Sequence, residues 1–429
     1  MRIELICTGD EVLTGKIVNS NFSYAAQKLE DYGFSVKWGV TVGDDRADLL
    51  AAFLKAGERA DAVIVNGGLG PTVDDLSQEV AAEAAGVPLV LNEPWLEHMR
   101  AYFEGRGRTM PDNNIKQAML PEGAEVVDNP IGTACGFAVT IGQARFFFTP
   151  GVPRELHRML EKEILPRLLE KSGTQSVIRL KRFHSFGIGE SHADSLLDGI
   201  EQMVPDGSLK LGFRAHYPQL ETKLTIRGAT EAEIAEKLIP VEAEVHRRIG
   251  NFVLAEDDET LEGVVLEHLA GKGATLAIAE TFTGGQAAAR IIPLDGAEGV
   301  IVRATAARRL EALGSALNMD GALPPAGAPL VPETAEAVAQ AVREQSGASH
   351  GLAVLVELID EETSGPNLSS TICIAVAAPG GIASRRSRLV GNREWIRLGA
   401  VEMGLDSLRR FLKDLPIKEK IDFERAAPN

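Results

Sequence analysis

Two adjacent carboxylates, Asp74 and Asp75, follow closely on a glycine-rich run, Gly67-Gly68-Leu69-Gly70. Glycine lets a backbone approach a ligand, and the free N–H groups at a helix start favour phosphate. Pro71 and Thr72 read as the opening of such a helix, which puts both carboxylates in its first turn. There they repel a phosphate unless a divalent cation, Mg2+ or similar, lies between, and hard cations prefer oxygen ligands. The spacing describes a metal–phosphate site: Gly67, Gly68, Gly70 and Thr72 donate to phosphate oxygens, and Asp74 and Asp75 hold the metal. The plainer alternative is that the two aspartates cap the helix and offset its dipole. Glu11 and Asp44 are further acidic candidates, as ligands of a second cation, as a general base, or as loop-fixing groups. Asn129, Gly132 and Thr133 form a second glycine-punctuated turn, which either touches a nucleotide or sugar or merely shapes the chain.

The elements that must position these residues alternate between strand and helix. Strand-like runs cover Ile3–Thr8, Phe34–Val42, Val63–Asn66 and Ala144–Thr149, with helical patterns near 21–31, 46–58, 92–106 and 112–119. A long helix is expected from the Pro150–Glu155 turn to about Lys171. Such alternation predicts a doubly wound parallel sheet, with ligands beyond the carboxyl ends of the strands. Glu11, Asp44 and Asp74/Asp75 all fall at such ends, so three loops can converge on one pocket. Residues 174–253 follow a β-α-β-β-α order, a small KH-like α+β module without the GxxG loop that clamps nucleic-acid backbone. A structural or interface role is the expectation for it. Glu256-Asp257-Asp258-Glu259 reads as a solvated acidic hinge, and 254–429 as a last α/β domain ending in a charged, frayed tail after Lys418.

Size and charge narrow the classes. A chain of 429 residues calls for more than one core. The formal charge of −17 argues against bulk nucleic-acid binding, which needs a clustered basic surface. The cysteines Cys7, Cys135 and Cys373 are dispersed and odd in number, which points to a reducing compartment, and the expected location is the cytoplasm. No apolar run reaches the roughly 18 residues that span a bilayer, so no membrane partner is expected.

Taken in order, the motifs resemble the CinA family of competence/damage-inducible proteins. They are Thr8-Gly9-Asp10-Glu11 with Gly15 and Asn19-Ser20-Asn21, then Gly67 to Asp75, Asn129 to Ala134, Pro150-Gly151-Val152-Pro153, and Gly187-Ile188-Gly189-Glu190-Ser191. Cys135 stands where that family usually has proline. The resemblance implies a first domain (1–173) of the molybdopterin-binding, MogA/MoaB-like fold that hydrolyses ADP-ribose to AMP and ribose 5-phosphate with a divalent metal. It also implies a homodimer. An enzyme-free alternative is a ligand-binding or interaction protein in DNA uptake or repair, with a recombination protein as partner. Molybdopterin handling rests on fold analogy alone.

The last domain resembles the family's nicotinamide-mononucleotide deamidase domain, but with altered motifs. The family's AESCTGG is here Ala279-Glu280-Thr281-Phe282-Thr283-Gly284-Gly285. Thr281 keeps a hydroxyl at the serine position, on a side chain stiffer at its first torsion. Registered on Leu313-Gly314, the family's tyrosine and lysine positions hold Ala304 and Arg309. Arginine stays protonated and cannot serve as a base. The family's TGIAGP loop corresponds to Leu355–Asp360, with bulky side chains and two carboxylates. The expectation is a retained fold with amide hydrolysis lost or weak.

Overall fold

β-branched and aromatic runs build the first sheet in the computed structural model. Its strands are Ile3–Thr8 (β1), Val36–Val42 (β2), Ala62–Asn66 (β3), Glu125–Val127 (β4), Gly136–Ile141 (β5) and Ala144–Thr149 (β6), ordered β2-β1-β3-β6-β5-β4. Every residue of β1 and β3 is buried, as expected of strands covered on both faces. Leu29 and Leu168 pack with Ile3, Leu5 and Phe147 on one face, while Phe53, Val80 and Trp95 pack with Ile6, Val65 and Phe148 on the other. β1, β2, β3 and β6 run parallel, so Thr8, Val42, Asn66 and Thr149 finish at the same edge of the sheet. The chain places β2 on one side of β1 and β3 on the other, and a ligand crevice belongs at that reversal.

Two departures from the expected pattern have local causes. The far edge is antiparallel, because only Gln143 and a left-handed Gly142 (φ 60°) separate β5 from β6, and so short a turn joins antiparallel neighbours only. The helix after Pro153 is interrupted: Pro153–Met159 is α-helical, Leu160–Ile164 widens to a π-helical turn, and Leu165–Ser172 resumes. Pro166 has no N–H to donate, which accounts for the widened turn before it.

The structure describes residues 1–173, 177–319, 321–325, 327–359 and 368–424, and the chain divides into two units. One holds Met1–Arg179 with Gly228–Thr230, and the other Leu180–Arg227 with Glu231–Asn429. A small sheet of Val177–Phe186 (β7), Leu209–His216 (β8), Gln219–Gly228 (β9) and Val253–Glu256 (β10) has the order β8-β9-β7-β10. The acidic stretch is therefore no solvated hinge. Glu256 ends β10, and Lys181 sits 2.7 Å from the carboxylates of both Glu256 and Asp257.

The last sheet comprises Leu276–Thr281 (β11), Ile301–Ala307 (β12), His350–Ile359 (β13), Leu368–Ala378 (β14) and Gly381–Gly391 (β15), ordered β12-β11-β13-β14-β15. β11 is parallel to β12 and β13, and β14 and β15 continue antiparallel. The helix Arg393–Leu412 packs behind this sheet, started by the Asn392 side chain accepting from Trp395 N–H. Within that helix Asp406 is buried between Arg409 and Arg410, with contacts of 2.7 Å to each. Arg410 also donates to the Asn251 carbonyl at 2.5 Å, and Gln219 donates to Glu402 at 2.6 Å, which fastens the small sheet to the last domain. The tail is not frayed through Glu424. Ile421 is 1% exposed, Asp422 accepts from Gly189 N–H at 2.7 Å, and it faces His192 at 3.0 Å. Among the described residues, no helix is long and apolar enough to cross a membrane.

Candidate functional site

A cavity of about 530 Å³ opens beyond the carboxyl ends of β1, β3 and β6. Of the residues singled out from sequence, Glu11, Asp44, Gly67, Gly68, Gly70, Asp74, Asp75 and Thr133 line it. Its floor is a network of amides. Asn66 donates to the Pro150 carbonyl (2.6 Å) and to the Thr149 hydroxyl (3.2 Å), and accepts from Asn21 (2.9 Å). Asn21 also donates to the Gly151 carbonyl at 2.8 Å. Gly67 is left-handed (φ 114°), and a Cβ there would lie 2.5 Å from the Thr8 hydroxyl. Only glycine lets the chain turn here against β1.

The carboxylates do not begin a helix. The helix starts at Ser77, and the Asp75 carboxylate instead accepts both the Thr72 N–H (2.9 Å) and the Thr72 hydroxyl. Such side-chain-to-backbone bonding competes with helical turns, and here it closes Thr72–Asp75 into a separate loop. The Thr72 N–H and hydroxyl thus stay within this loop, and Thr72 does not line the cavity. Asp74 is exposed, and the Thr72 hydroxyl, the local backbone and Lys116 together hold its carboxyl below the usual range.

Glu11 sits on a single helical turn, Asp10–Leu13, where a plain loop was expected. The β1 and β2 loops clasp each other: Asp10 N–H donates to Asp44 (3.1 Å) and Asp44 N–H donates to Asp10 (3.2 Å). Burial pushes the Asp44 carboxyl upward, and the charges of Asp10, Glu11 and Asp74 add to that against the Asp10 N–H. A concentration of negative charge of this kind is relieved by a cation. Among the described residues no three His, Cys, Asp or Glu side chains gather into a closed metal cluster. The donor set suits a hard cation held by one or two carboxylates and otherwise by water and substrate oxygens, as Mg2+ is commonly bound.

Asn129 and Gly132 lie outside the cavity lining. Asn129 is fully buried and donates to the Ala134 carbonyl (3.0 Å) and to Glu155 (2.7 Å), while Gly132 abuts the Glu155 carboxylate so closely that a Cβ there would displace it. Of the two readings for this turn, the geometry gives these residues the shaping one. Thr133 reaches the cavity, with its carbonyl held by the Trp95 indole at 3.1 Å. Cys135 is buried core, and its thiol is pushed up by that burial. Asn66 and Glu155 also line the cavity and were not among the residues singled out. Asn66 carried a signal, a lone amide closing an apolar strand; Glu155 carried none.

The last domain has its own cavity, of about 430 Å³, at the ends of β11 and β13. Thr281 lines it, but its hydroxyl accepts from Val356 N–H (2.9 Å) and points back at the Val356 carbonyl (3.5 Å). The group that stood at the nucleophile position is a sheet fastener. Thr283 donates to Glu280 at 2.5 Å, and Glu280 accepts from Ala287 and Ala288 N–H at 3.2 Å, so this pair secures the helix Gln286–Ile291. Gly284 is left-handed (φ 72°). Arg309 lines the cavity, whereas Ala304 is exposed on the edge strand β12 and is not part of its lining. Leu355 to Leu358 line it too; Asp360 lies outside the described residues.

The chain is thus a three-part α/β protein with a strand-end cavity in its first domain and another in its last. Residues 4–170 match the family model described as a probable molybdopterin binding domain, 180–255 the damage-inducible protein CinA KH domain, and 258–412 the CinA C-terminal domain. A CinA-like protein of Shewanella sediminis is 37% identical over 414 residues, covering 96% of each chain. One from Shewanella loihica is 37% identical over 419 residues, covering 97% of each. A solved CinA structure from Thermoplasma acidophilum is 32% identical, spans 40% of this chain and 96% of its own, and has a TM-score of 0.35. The chain belongs to the CinA family.

Proposed function

We propose that the first domain hydrolyses ADP-ribose to AMP and ribose 5-phosphate with a divalent cation, in pyridine-nucleotide recycling. The observation that carries this reading is the meeting of Glu11, Asp44, Asp74 and Asp75 with the Gly67–Gly70 backbone around one cavity. The Gly67 N–H, expected to donate to phosphate, is taken by the Thr149 carbonyl at 2.9 Å, so close N–H approach to the pyrophosphate falls to the Gly68–Gly70 stretch of the turn. Asp74, exposed and kept ionised, and Asp75 would hold the cation, which when bound neutralises phosphate charge and activates water. Asp44 takes the proton of the attacking water, since a raised carboxyl is the better base. Glu11 adds charge beside Asp44 and sustains that basicity. The test is AMP release from ADP-ribose by the full chain, with chelator and with added Mg2+ or Mn2+. No release under any metal rejects the reading.

A pH profile tests Asp44 separately. Turnover is expected to fall on acidification as the Asp44 carboxyl, which burial raises in the cation-free protein, takes up a proton and ceases to be a base. The same shift acts on folding with the opposite sign. The folded state binds this proton more tightly than the unfolded chain, so stability is gained as pH falls through the folded value and lost above it. Asp44→Asn is therefore expected to abolish the acid limb, lower turnover and raise the melting temperature at neutral pH. An acid limb that persists in the variant takes the role from Asp44.

The last domain is proposed to hydrolyse no amide. The support is the Thr281 hydroxyl bonded to Val356, with arginine at the lysine position. Incubation with nicotinamide mononucleotide is expected to release no ammonia. Release that Thr281→Val abolishes would overturn this.

A further inference from the structure

The cavity beside Thr281 has a neighbour. A second space of about 450 Å³ borders Gly284 and Ala306, and the two share Phe282, Arg308 and Arg393 as lining residues. Two lobes thus meet at a saddle formed by an aromatic ring and two guanidinium groups, with Arg309 facing the first lobe. Phe282 is held at φ 68°, a region that bulky side chains rarely adopt, with its N–H donating to the Ala307 carbonyl at 3.2 Å. Backbone in that region persists where the surroundings over-determine it, and it accumulates at binding sites.

Elsewhere in this domain Arg290 pairs with Glu262 and Glu402, Arg385 with Glu424, and Arg409 and Arg410 with Asp406. Arg308, Arg309 and Arg393 are exposed, and their guanidinium groups have no partner among the described residues. Arg393 is moreover the first residue of the helix Arg393–Leu412, where the helix dipole disfavours a cation. Two carboxylates, Glu311 and Glu357, line the same cleft, Glu357 accepting from Leu330 N–H at 3.1 Å, so the three arginines leave a surplus of positive charge that an anion can meet. Planar guanidinium forks match phosphate oxygens in pairs.

We infer that this double cleft binds a diphosphate joining two bulky groups, of the nucleoside diphosphate sugar class. The diphosphate rests on Arg308, Arg309 and Arg393, the base lies against Phe282, and each bulky end takes one lobe. The cleft binds without hydrolysing, and the inference stands independently of the first domain's chemistry.

Isothermal titration of the full chain with ADP-glucose, in chelator, tests it. Binding is expected to survive in Asp74→Ala and to weaken about tenfold or more in the Arg308→Ala/Arg309→Ala double variant, as loss of charge-assisted bonds requires. Both arginines are exposed, so an unchanged circular dichroism spectrum is expected to accompany that loss. A lysine pair at these positions should recover part of the affinity, and Phe282→Gly should relieve the backbone while weakening binding. Affinity unchanged in the arginine variant overturns the inference. So does equal competition by inorganic phosphate, or nicotinamide mononucleotide binding as tightly as ADP-glucose.

Discussion

Asp74→Ala is expected to lower AMP release from ADP-ribose by about 100-fold or more, the scale on which lost metal support or transition-state charge stabilisation is felt. The same substitution should leave the melting temperature where it was. Asp74 is exposed, and its carboxylate holds no element of the fold in place. Asp75→Ala should differ in kind. Its carboxylate receives the N–H and the hydroxyl of Thr72, so removing it opens the turn that carries Asp74. Loss of turnover together with a lower melting temperature is the expected pair of results, with Asp75→Asn retaining part of both. Raising the cation concentration should recover Asp74→Ala partly, because a weakened site still fills by mass action. Unchanged turnover in Asp74→Ala, measured at limiting metal, removes the assignment of this loop to catalysis.

The second large effect concerns folding. Asp406→Ala is expected to destabilise the unit built on the last two sheets by about 3–5 kcal/mol, since it takes the counter-ion from buried Arg409 and leaves buried Arg410 only Glu419, at 3.7 Å. Arg409 and Arg410 are 2% and 0% exposed, and neither can swing to water without unpacking the helix Arg393–Leu412. Equilibrium denaturation should show this as an early transition, while the first domain's transition keeps its midpoint. Asp406→Asn, which keeps an acceptor and the shape but not the charge, should fall between. A loss below about 1 kcal/mol, the scale of an exposed pair, would show that solvent reaches the guanidinium groups.

What was legible in the chain follows from which forces act locally. Strand ends such as Thr8, Asn66 and Thr149 were visible because an apolar run stops at a polar residue, and their convergence followed from parallel pairing. The Thr72–Asp75 turn was not visible, because Pro-Thr followed by acidic residues is also how a helix opens. The competing hydrogen bond to Thr72 appears only in three dimensions. β15 was hidden by Arg385, Arg386 and Arg388, which break its apolar pattern; yet Arg385 is 4% exposed and spans to Glu424. The shaping role of Asn129 was not legible over a ligand contact, because its partner Glu155 is distant in the sequence. The motif decay at Thr281 was plain in the sequence, but that its hydroxyl is tied to Val356, seventy-five residues on, was not.

The seating of Ile421 and Asp422 bears on how the chain is made. Ribosomes deliver residues in order, and domains tend to fold as they emerge. The β1–β6 sheet has all its strands once residue 149 is out. The seat at Gly187–Gly189 is synthesised early, yet it waits for its apolar and acidic occupants until more than two hundred further residues have been added. Throughout that interval a patch beside Phe186 stays uncovered, an invitation to nascent-chain aggregation or chaperone capture. Messages truncated near their end should therefore yield a first domain able to fold and a remainder prone to degradation.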